Sequence, residues 1–214
     1  MASVAEIKTI ARSVAYSLLH PLTTNAIAHA SACVTTQILA TPAYAAASSV
    51  GLYLAMDVGK GGRVAEVNVD GVAEAAFADG KEVYLPRIVG KSGVPLSMAR
   101  VESWEEYNHL PEKRWGIPQP SQDAPVASSL DLVVVPGLFY HPESGMRCGR
   151  GGGYYDATLT SLGFPPTIGV GFDVSDWSGM VDHVSHRLGH PVDAFPSDDN
   201  DVVLDTIILG PTVE

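Results

Sequence analysis

Cysteine is nearly missing from this chain: Cys33 and Cys148 are the only two in 214 residues. Two thiols so far apart in sequence form no disulfide framework, so the fold has to be held by its core, and a reducing, cytoplasmic setting is expected. Positive charge is scarce as well. Thirteen Lys and Arg stand against 24 Asp and Glu, a formal net charge of −11. Such a surface repels nucleic acid, so no nucleic-acid partner is expected, and an anionic ligand has to be small and met by locally gathered cations. No apolar run approaches membrane-spanning length, and the first residues lack the charged head and unbroken apolar centre of a secretory signal, which predicts no membrane partner. The two common phosphate fingerprints are missing too. GxxxxGK[ST] occurs nowhere, and GxGxxG fails where Tyr154 replaces the third glycine. What the chain does have is apolar content, 46%, enough to bury a core as a single domain over 1–214, expected as a monomer.

Against this background the run RCGRGGGYYD, Arg147 to Asp156, stands out. It follows an apolar, strand-like DLVVVPGL and precedes a plausible helix. Glycines let backbone N–H groups approach phosphate oxygens and adopt positive φ. Arg147 and Arg150 can grip those oxygens bidentately. A helix starting near Tyr155 would aim its positive end at the same anion, and Asp156 in its first turn is a hard-oxygen ligand suited to Mg²⁺. On composition alone, a flexible surface loop explains the glycines equally well.

Periodicity supplies the fold class. Ile7, Ile10, Ala11, Val14, Ala15 and Leu18 recur at helical spacing, so 4–19 reads as an amphipathic helix ended by His20-Pro21, with Lys8 and Arg12 four residues apart on one face. A second helix is expected over 25–39, a third over 71–79, and another over 155–162. Strands are expected at 50–56, 81–88, 131–136, 167–172 and 202–209, with an irregular excursion from 100 to 129. Alternating strands and helices predict an α/β three-layer sandwich, a mostly parallel sheet flanked by helices, with the ligand site at the carboxyl ends of the strands.

The segment PGLFYHPESGMRCGRGGGYYD resembles the signature of 5-formyltetrahydrofolate cyclo-ligase, also called 5,10-methenyltetrahydrofolate synthetase, and the resemblance runs in order along nearly the whole chain. Lys8 to Arg12 is similar to the family's opening K-x-x-L-R, YLAM before Asp57 to its first strand, and GKEVYLPRI to its second. RWGIPQP matches a Trp-x-Ile-x-x-Pro segment, and DNDVVLDTII the closing acidic strand.

The resemblance implies ATP- and Mg²⁺-dependent cyclisation of 5-formyltetrahydrofolate to 5,10-methenyltetrahydrofolate through a phosphorylated formyl oxygen. It places ATP on Lys8, Arg12 and the run Arg147, Cys148, Gly149, Arg150, Gly151, Gly152, Gly153, Tyr154 and Tyr155. Arg150 and Tyr154 are the catalytic candidates, Arg150 neutralising charge on the transferring phosphoryl group. Asp156 and Asp201 are the metal candidates, with Asp198 and Asp199 as alternatives to Asp201. Folate would meet Met56, Glu66, Asn68, Trp115, Arg150 and Tyr154. Asn68 and Val69 stand where the family often has a carboxylate and threonine, His141 where it has aspartate, and Cys148 where it has leucine.

Plainer readings exist for several of these residues. Lys8 and Arg12 fit a solvated helical face, Met56 and Trp115 fit core packing, and Asp201 fits a turn or cap. His183, His186 and His190 are spaced as zinc ligands could be, although their Gly and Pro neighbours suit solvent-facing histidines. Cys148 fits a small apolar filler, or a thiol of lowered pKa beside cations. The alternatives to an enzyme are a non-catalytic nucleotide- or folate-binding module and an acidic protein-interaction domain.

Overall fold

The computed structural model describes residues 2–56, 63–111 and 117–212. Eight strands are named in chain order: β1 (Ser49–Gly51), β2 (Glu82–Arg87), β3 (Ser97–Val101), β4 (Leu132–Pro136), β5 (Phe139–His141), β6 (Met146–Cys148), β7 (Thr167–Phe172) and β8 (Thr206–Gly210). The main sheet runs β3-β2-β1-β4-β7-β8, parallel throughout except for β3 on its edge, while β5 and β6 form a separate antiparallel pair. The predicted α/β class and mostly parallel sheet are what the chain adopts.

Period-two alternation within the strands divides the core. Val50, Val83, Leu85, Leu132, Val134, Ile168, Val170 and Ile208 face one side, and Tyr84, Val133 and Val135 face the other. The larger face is covered by α1 (Val4–Leu19), α2 (Thr24–Leu39), α4 (Asp70–Ala78) and α7 (Trp177–Leu188), and the smaller face by α6 (Tyr154–Ser161), through Leu159 and Leu162. Short helices α3 (Pro42–Ala46) and α5 (Trp104–Asn108) complete the set. The helix starts follow capping chemistry. Ser3, Thr23, Thr41, Ser103 and Asp176 each accept a backbone N–H at an N-terminus, and Pro42 opens α3, where it lacks only a donor that would be unpaired anyway.

Two carboxylates fasten the amino ends of the strands. Asp131 accepts the Ser48 and Ser49 N–H groups, both at 2.9 Å, joining the starts of β1 and β4. Asp205 accepts the Thr167 N–H at 2.8 Å and joins β7 to β8. The opposite, carboxyl ends of β1 and β4 are left for function. From β1 the chain moves to β2 on one side and then to β4 on the other, and a crevice opens where such a sheet changes direction.

Four expectations about elements need correction. The strand expected over 50–56 pairs only through Gly51, because the chain then leaves the sheet and Tyr53, Leu54 and Met56 become wall rather than sheet. The strand expected from Val202 begins at Thr206, because Val202 and Leu204 donate instead to Asp156 Oδ1 and Gly145 O. The excursion 100–129 contains the end of β3 and the helix α5. The stretch between the strand at 131–136 and the glycine run, given no element of its own above, holds the β5–β6 hairpin.

That hairpin packs Phe139 against Trp177 of α7 and turns the Tyr140 ring onto the opposite side of β7, where glycines make room for it. A Cβ on Gly137, Gly169 or Gly171 would meet the ring of Tyr140, whose hydroxyl donates to Val170 O. Tyr140 and Phe139 are fully buried. The hairpin is thereby fixed to β7, and it delivers Arg147 and Cys148 to the start of the glycine run.

Candidate active site

The glycine run leaves β6 at Cys148 and enters α6 at Tyr154. Gly151 has φ 94° and Gly153 φ 64°, values that L side chains rarely adopt, and Gly153 is the N-cap of α6 without a side-chain cap of its own. The positive end of α6 is thus presented through bare glycine backbone, as expected from the sequence.

α1 crosses behind this loop with Lys8, Arg12 and Tyr16 at four-residue intervals on one face. Lys8 is not a solvated surface charge. It is 9% exposed, and its ammonium reaches Asp198 and Asp201, each at 2.6 Å. Burial works against its charge, but the two carboxylates outweigh burial and hold its pKa above the ordinary 10.5. The Lys8 and Asn200 bonds in turn hold Asp198 below the ordinary carboxylate value. Arg12 Nε donates to Gly149 O at 2.9 Å, and a Cβ on Gly151 would stand 3.3 Å from the Arg12 Cζ, so guanidinium and glycine backbone touch. Tyr16 accepts from Arg150 at 3.0 Å.

The remaining cations are paired similarly. Arg147, buried, bonds Asp156 at 3.0 Å, and its Nε is buried with no partner among the described residues. Arg150 bonds Glu66 Oε1 at 3.1 Å, and Glu66 Oε2 accepts the Met56 N–H. Asp156 Oδ1 also accepts the Val202 N–H, tying the glycine loop to the acidic segment 198–201. A second loop closes over the first: Gly93 donates to Gly152 O at 2.8 Å.

All of this surrounds one cavity of about 2220 Å³. It is lined by the glycine run, Lys8, Arg12, Asp156 and Asp198 to Val203, and also by Tyr53, Leu54, Met56, Ile88, Leu96 and Ile117. Binding sites for a single drug-sized molecule are commonly about 300–1,000 Å³. This one has room for two ligands, one polyanionic and one largely apolar.

Among the expected residues, the structure brings together Lys8, Arg12, Arg147, Cys148, Gly149, Arg150, Gly151, Gly152, Gly153, Tyr154, Tyr155, Asp156, Asp201, Met56 and Glu66 around that cavity. Asn68 lies elsewhere. Its side chain accepts the Asp70 N–H two residues on, a local Asx turn leading into α4. Trp115 falls outside the described residues, as do 59–62 of the glycine-rich insertion. His183 and His186 sit exposed on α7, and no group of three metal-capable side chains occurs among the described residues. Cys148 is buried, and burial pushes its thiol up despite Arg12, Lys8 and Arg147 nearby, so it is a filler rather than an activated thiolate. Tyr16 was not anticipated, although its place four residues after Arg12 was a usable signal. Asp198 stood only as an alternative, and pairing across 190 residues has no local signature.

The model of the 5-formyltetrahydrofolate cyclo-ligase family matches residues 8–210. The chain belongs to this family. It is 36% identical over 96 residues to the Caenorhabditis elegans "Probable 5-formyltetrahydrofolate cyclo-ligase", covering 42% of this chain and 46% of that one. It is 36% identical over 99 residues to the 5-formyltetrahydrofolate cyclo-ligase of Mus musculus, covering 44% and 48%. The matches span about half the length of these curated relatives. The Aquifex aeolicus 5,10-methenyltetrahydrofolate synthetase solved by NMR superposes with a TM-score of 0.71 at 20% identity, over 97% of this chain and 91% of that one, a likeness of fold. The cyclo-ligase family match covers α1 from Lys8 onward, the glycine run and the acidic segment before β8.

Proposed function

We propose that this chain catalyses the ATP-dependent cyclisation of 5-formyltetrahydrofolate to 5,10-methenyltetrahydrofolate, releasing ADP and phosphate. The observation that carries the reading is the single cavity of about 2220 Å³ whose wall is shared by a cationic glycine loop and an apolar surface. A triphosphate and a pterin must meet for the formyl oxygen to be phosphorylated, and this cavity has a surface suited to each.

In this reading Lys8, Arg12, Arg147 and the glycine-loop N–H groups hold the phosphates. The unpaired, buried Arg147 Nε is a donor lacking an acceptor, as an anion site requires. The formyl oxygen attacks the γ-phosphorus and ADP leaves. The N10 lone pair then attacks the activated carbon, N10 loses its proton, and the C–O bond to phosphate breaks, leaving the methenyl product. Such chemistry rests on positioning and charge neutralisation. Arg150 supplies the neutralising charge, with Glu66 and Tyr16 orienting its guanidinium. Met56, with Leu54, offers the pterin an apolar wall, and Tyr154 stands at the junction of the two ligands.

Asp156 and Asp201 suit Mg²⁺, which is usually held by one or two carboxylates together with substrate phosphates rather than in a closed cage. Bound there, Mg²⁺ would offset charge on the phosphates. Lys8 and Arg147 are the present partners of these two carboxylates, so the ion pairs would exchange: cations to phosphate, carboxylates to metal. We also read the protein as a cytoplasmic monomer. Cys33 and Cys148 are free, and no helix among the described residues is long and apolar enough to cross a membrane.

The test is the absorbance of methenyltetrahydrofolate formed from 5-formyltetrahydrofolate with ATP and Mg²⁺. Product that depends on all three is expected, and none would overturn the proposal. Arg150→Ala should lower kcat more than it weakens ATP binding, and equal turnover would remove its assigned role.

A further inference from the structure

The wall of the cavity continues beyond the phosphate loop. Along α6, Asp156, Ala157, Thr160 and Ser161 line it, at the spacing of one helical face, while Thr158, Leu159 and Leu162 face the interior. Eight residues of helix extend on the order of 12 Å at 1.5 Å per residue, comparable to the reach from the terminal phosphate to the base in an extended nucleoside triphosphate. At the far end stands Phe164.

Phe164 is unusual in two ways. It is 64% exposed, the most exposed large apolar side chain among the described residues, and it lines the cavity. It is also the sole described residue other than glycine with positive φ, at 58°. The local hydrogen bonds explain how it is held. Gly163 donates to Thr160 O and Phe164 donates to Leu159 O, the two-bond pattern that ends many helices, and Pro165 and Pro166 stiffen the connection to β7. They do not explain why the ring is outside. In that motif the residue after the left-handed glycine usually tucks an apolar side chain against the last turn. Here a strained backbone holds an aromatic ring out in water, and strain of that kind clusters at ligand clamps.

Two of the other large exposed apolar side chains, Val4 (40%) and Val203 (58%), line the same cavity. Val4 begins α1, four residues before Lys8, and Val203 follows the acidic segment. An exposed aromatic ring on the wall of the cavity that also holds the glycine loop fits a flat, π-faced group attached to a phosphate chain. We propose that Phe164 is the stacking platform for the base of a nucleoside triphosphate whose phosphates lie on the glycine loop. The inference rests on the nucleotide reading of the cavity given above and adds the residue that recognises the base.

Calorimetric titration of Mg·ATP and of Mg·tripolyphosphate separates the two. Stacking of one base on an aromatic side chain accounts for about 1–3 kcal/mol by alanine substitution, so Phe164→Ala should weaken ATP about five- to 150-fold. It should leave tripolyphosphate, which has no base, unchanged within about twofold, and Phe164→Trp should restore ATP affinity. Thermal stability of Phe164→Ala should not fall, because the ring is exposed and its backbone strained. ATP affinity kept within twofold in Phe164→Ala, or equal losses for ATP and tripolyphosphate, would overturn the platform alone. Failure of the wild-type chain to bind ATP at all would overturn the nucleotide reading and the platform with it.

Discussion

Gly171→Ala is the perturbation that most directly tests how the sheet positions the site. A Cβ there would overlap Tyr140 Cε2 and stand 2.9 Å from its Cδ2. The ring cannot slide aside. It is fully buried, its hydroxyl is bonded to Val170 O, and a Cβ on neighbouring Gly169 would already be 3.5 Å from it. The tyrosine has to lift from β7 and carry the β5–β6 hairpin with it. Overpacking of this kind costs about 1–3 kcal/mol. A weakened buried hydroxyl bond adds about 1 kcal/mol, and reduced freedom of the unfolded chain offsets about 0.4–1 kcal/mol. The net loss is about 1–3.5 kcal/mol, or roughly 2–14 °C in Tm for a chain of this size. Gly179→Ala is the control. Gly179 is exposed in α7 with nothing within 4 Å of its Cβ position, and replacement should add about 0.5–1 kcal/mol. Urea unfolding followed by circular dichroism measures both. In a Tyr140→Ala background, Gly171→Ala should cost far less, since the two residues share one contact. A Gly171→Ala protein as stable as wild type, or a cost that persists without Tyr140, would refute the reasoning.

Removing Asp156 leaves Arg147, whose side chain is 3% exposed, without its carboxylate. Asp156→Ala should destabilise the free protein by about 3–5 kcal/mol and raise the Mg²⁺ concentration needed for turnover, read by thermal melts and a Mg²⁺ titration; an unchanged titration would move the metal elsewhere. Glu66→Gln should raise the KM for 5-formyltetrahydrofolate more than that for ATP, since Glu66 orients both Arg150 and the Met56 backbone; a larger shift for ATP would put Glu66 on the wrong ligand. The pH dependence has a definite sign. Asp131 and Asp198 are held below the ordinary 3.8, so their contribution is complete above about pH 4 and is lost as pH falls through their lower folded values. Lys8, held above 10.5, contributes fully below that value and loses its contribution as pH rises through its higher folded value. Lys8→Met should shrink the alkaline limb of a Tm–pH curve to the share of the tyrosines Tyr53, Tyr107, Tyr140 and Tyr155, whose pKa values burial raises, and shrink the acid limb to the shares of Asp131 and of the Asn200 bonds to Asp198; limbs identical to wild type would show that the pair contributes nothing.

The fold was legible where a signal is local. Helical spacing located α1, α2 and α6 to within a residue or two, and unbroken apolar runs located β4 and β7, because parallel strands covered on both faces need no alternation. Strand ends were less legible, since Tyr53 to Met56 and Val202 to Leu204 have strand-like composition but are held by the cavity wall and by Asp156 and Gly145. The hairpin was missed because each arm is three residues long and its stability comes from Tyr140 lying on glycines from two other segments. In the site, the glycine run and the Lys8–Arg12 spacing could be read directly, whereas the partners that neutralise them lie far along the chain. Asn68 shows the opposite case: a residue matched to a motif position by sequence bonds locally, in a turn leading into α4.

Those partners bear on how an acidic chain can hold a polyanion at all. Lys8, Arg12, Arg147 and Arg150 converge on one loop, and left bare at that separation they would repel one another, more strongly where burial lowers the effective dielectric. Each is met by a carboxylate or a carbonyl: Asp198 and Asp201, Gly149 O, Asp156, Glu66. The pairing keeps the cluster assembled without ligand, and exchanging one acceptor for another leaves no buried charge unpaired, which is where the cost of breaking such pairs lies. A metal-free polyanion would have to displace the carboxylates and leave them beside its own charge. One that arrives with Mg²⁺ supplies the carboxylates a new partner as it takes their old one. On the proposed reading, the arrangement therefore selects the metal complex of the triphosphate over the bare anion, and it does so through pairs already present in the unliganded fold.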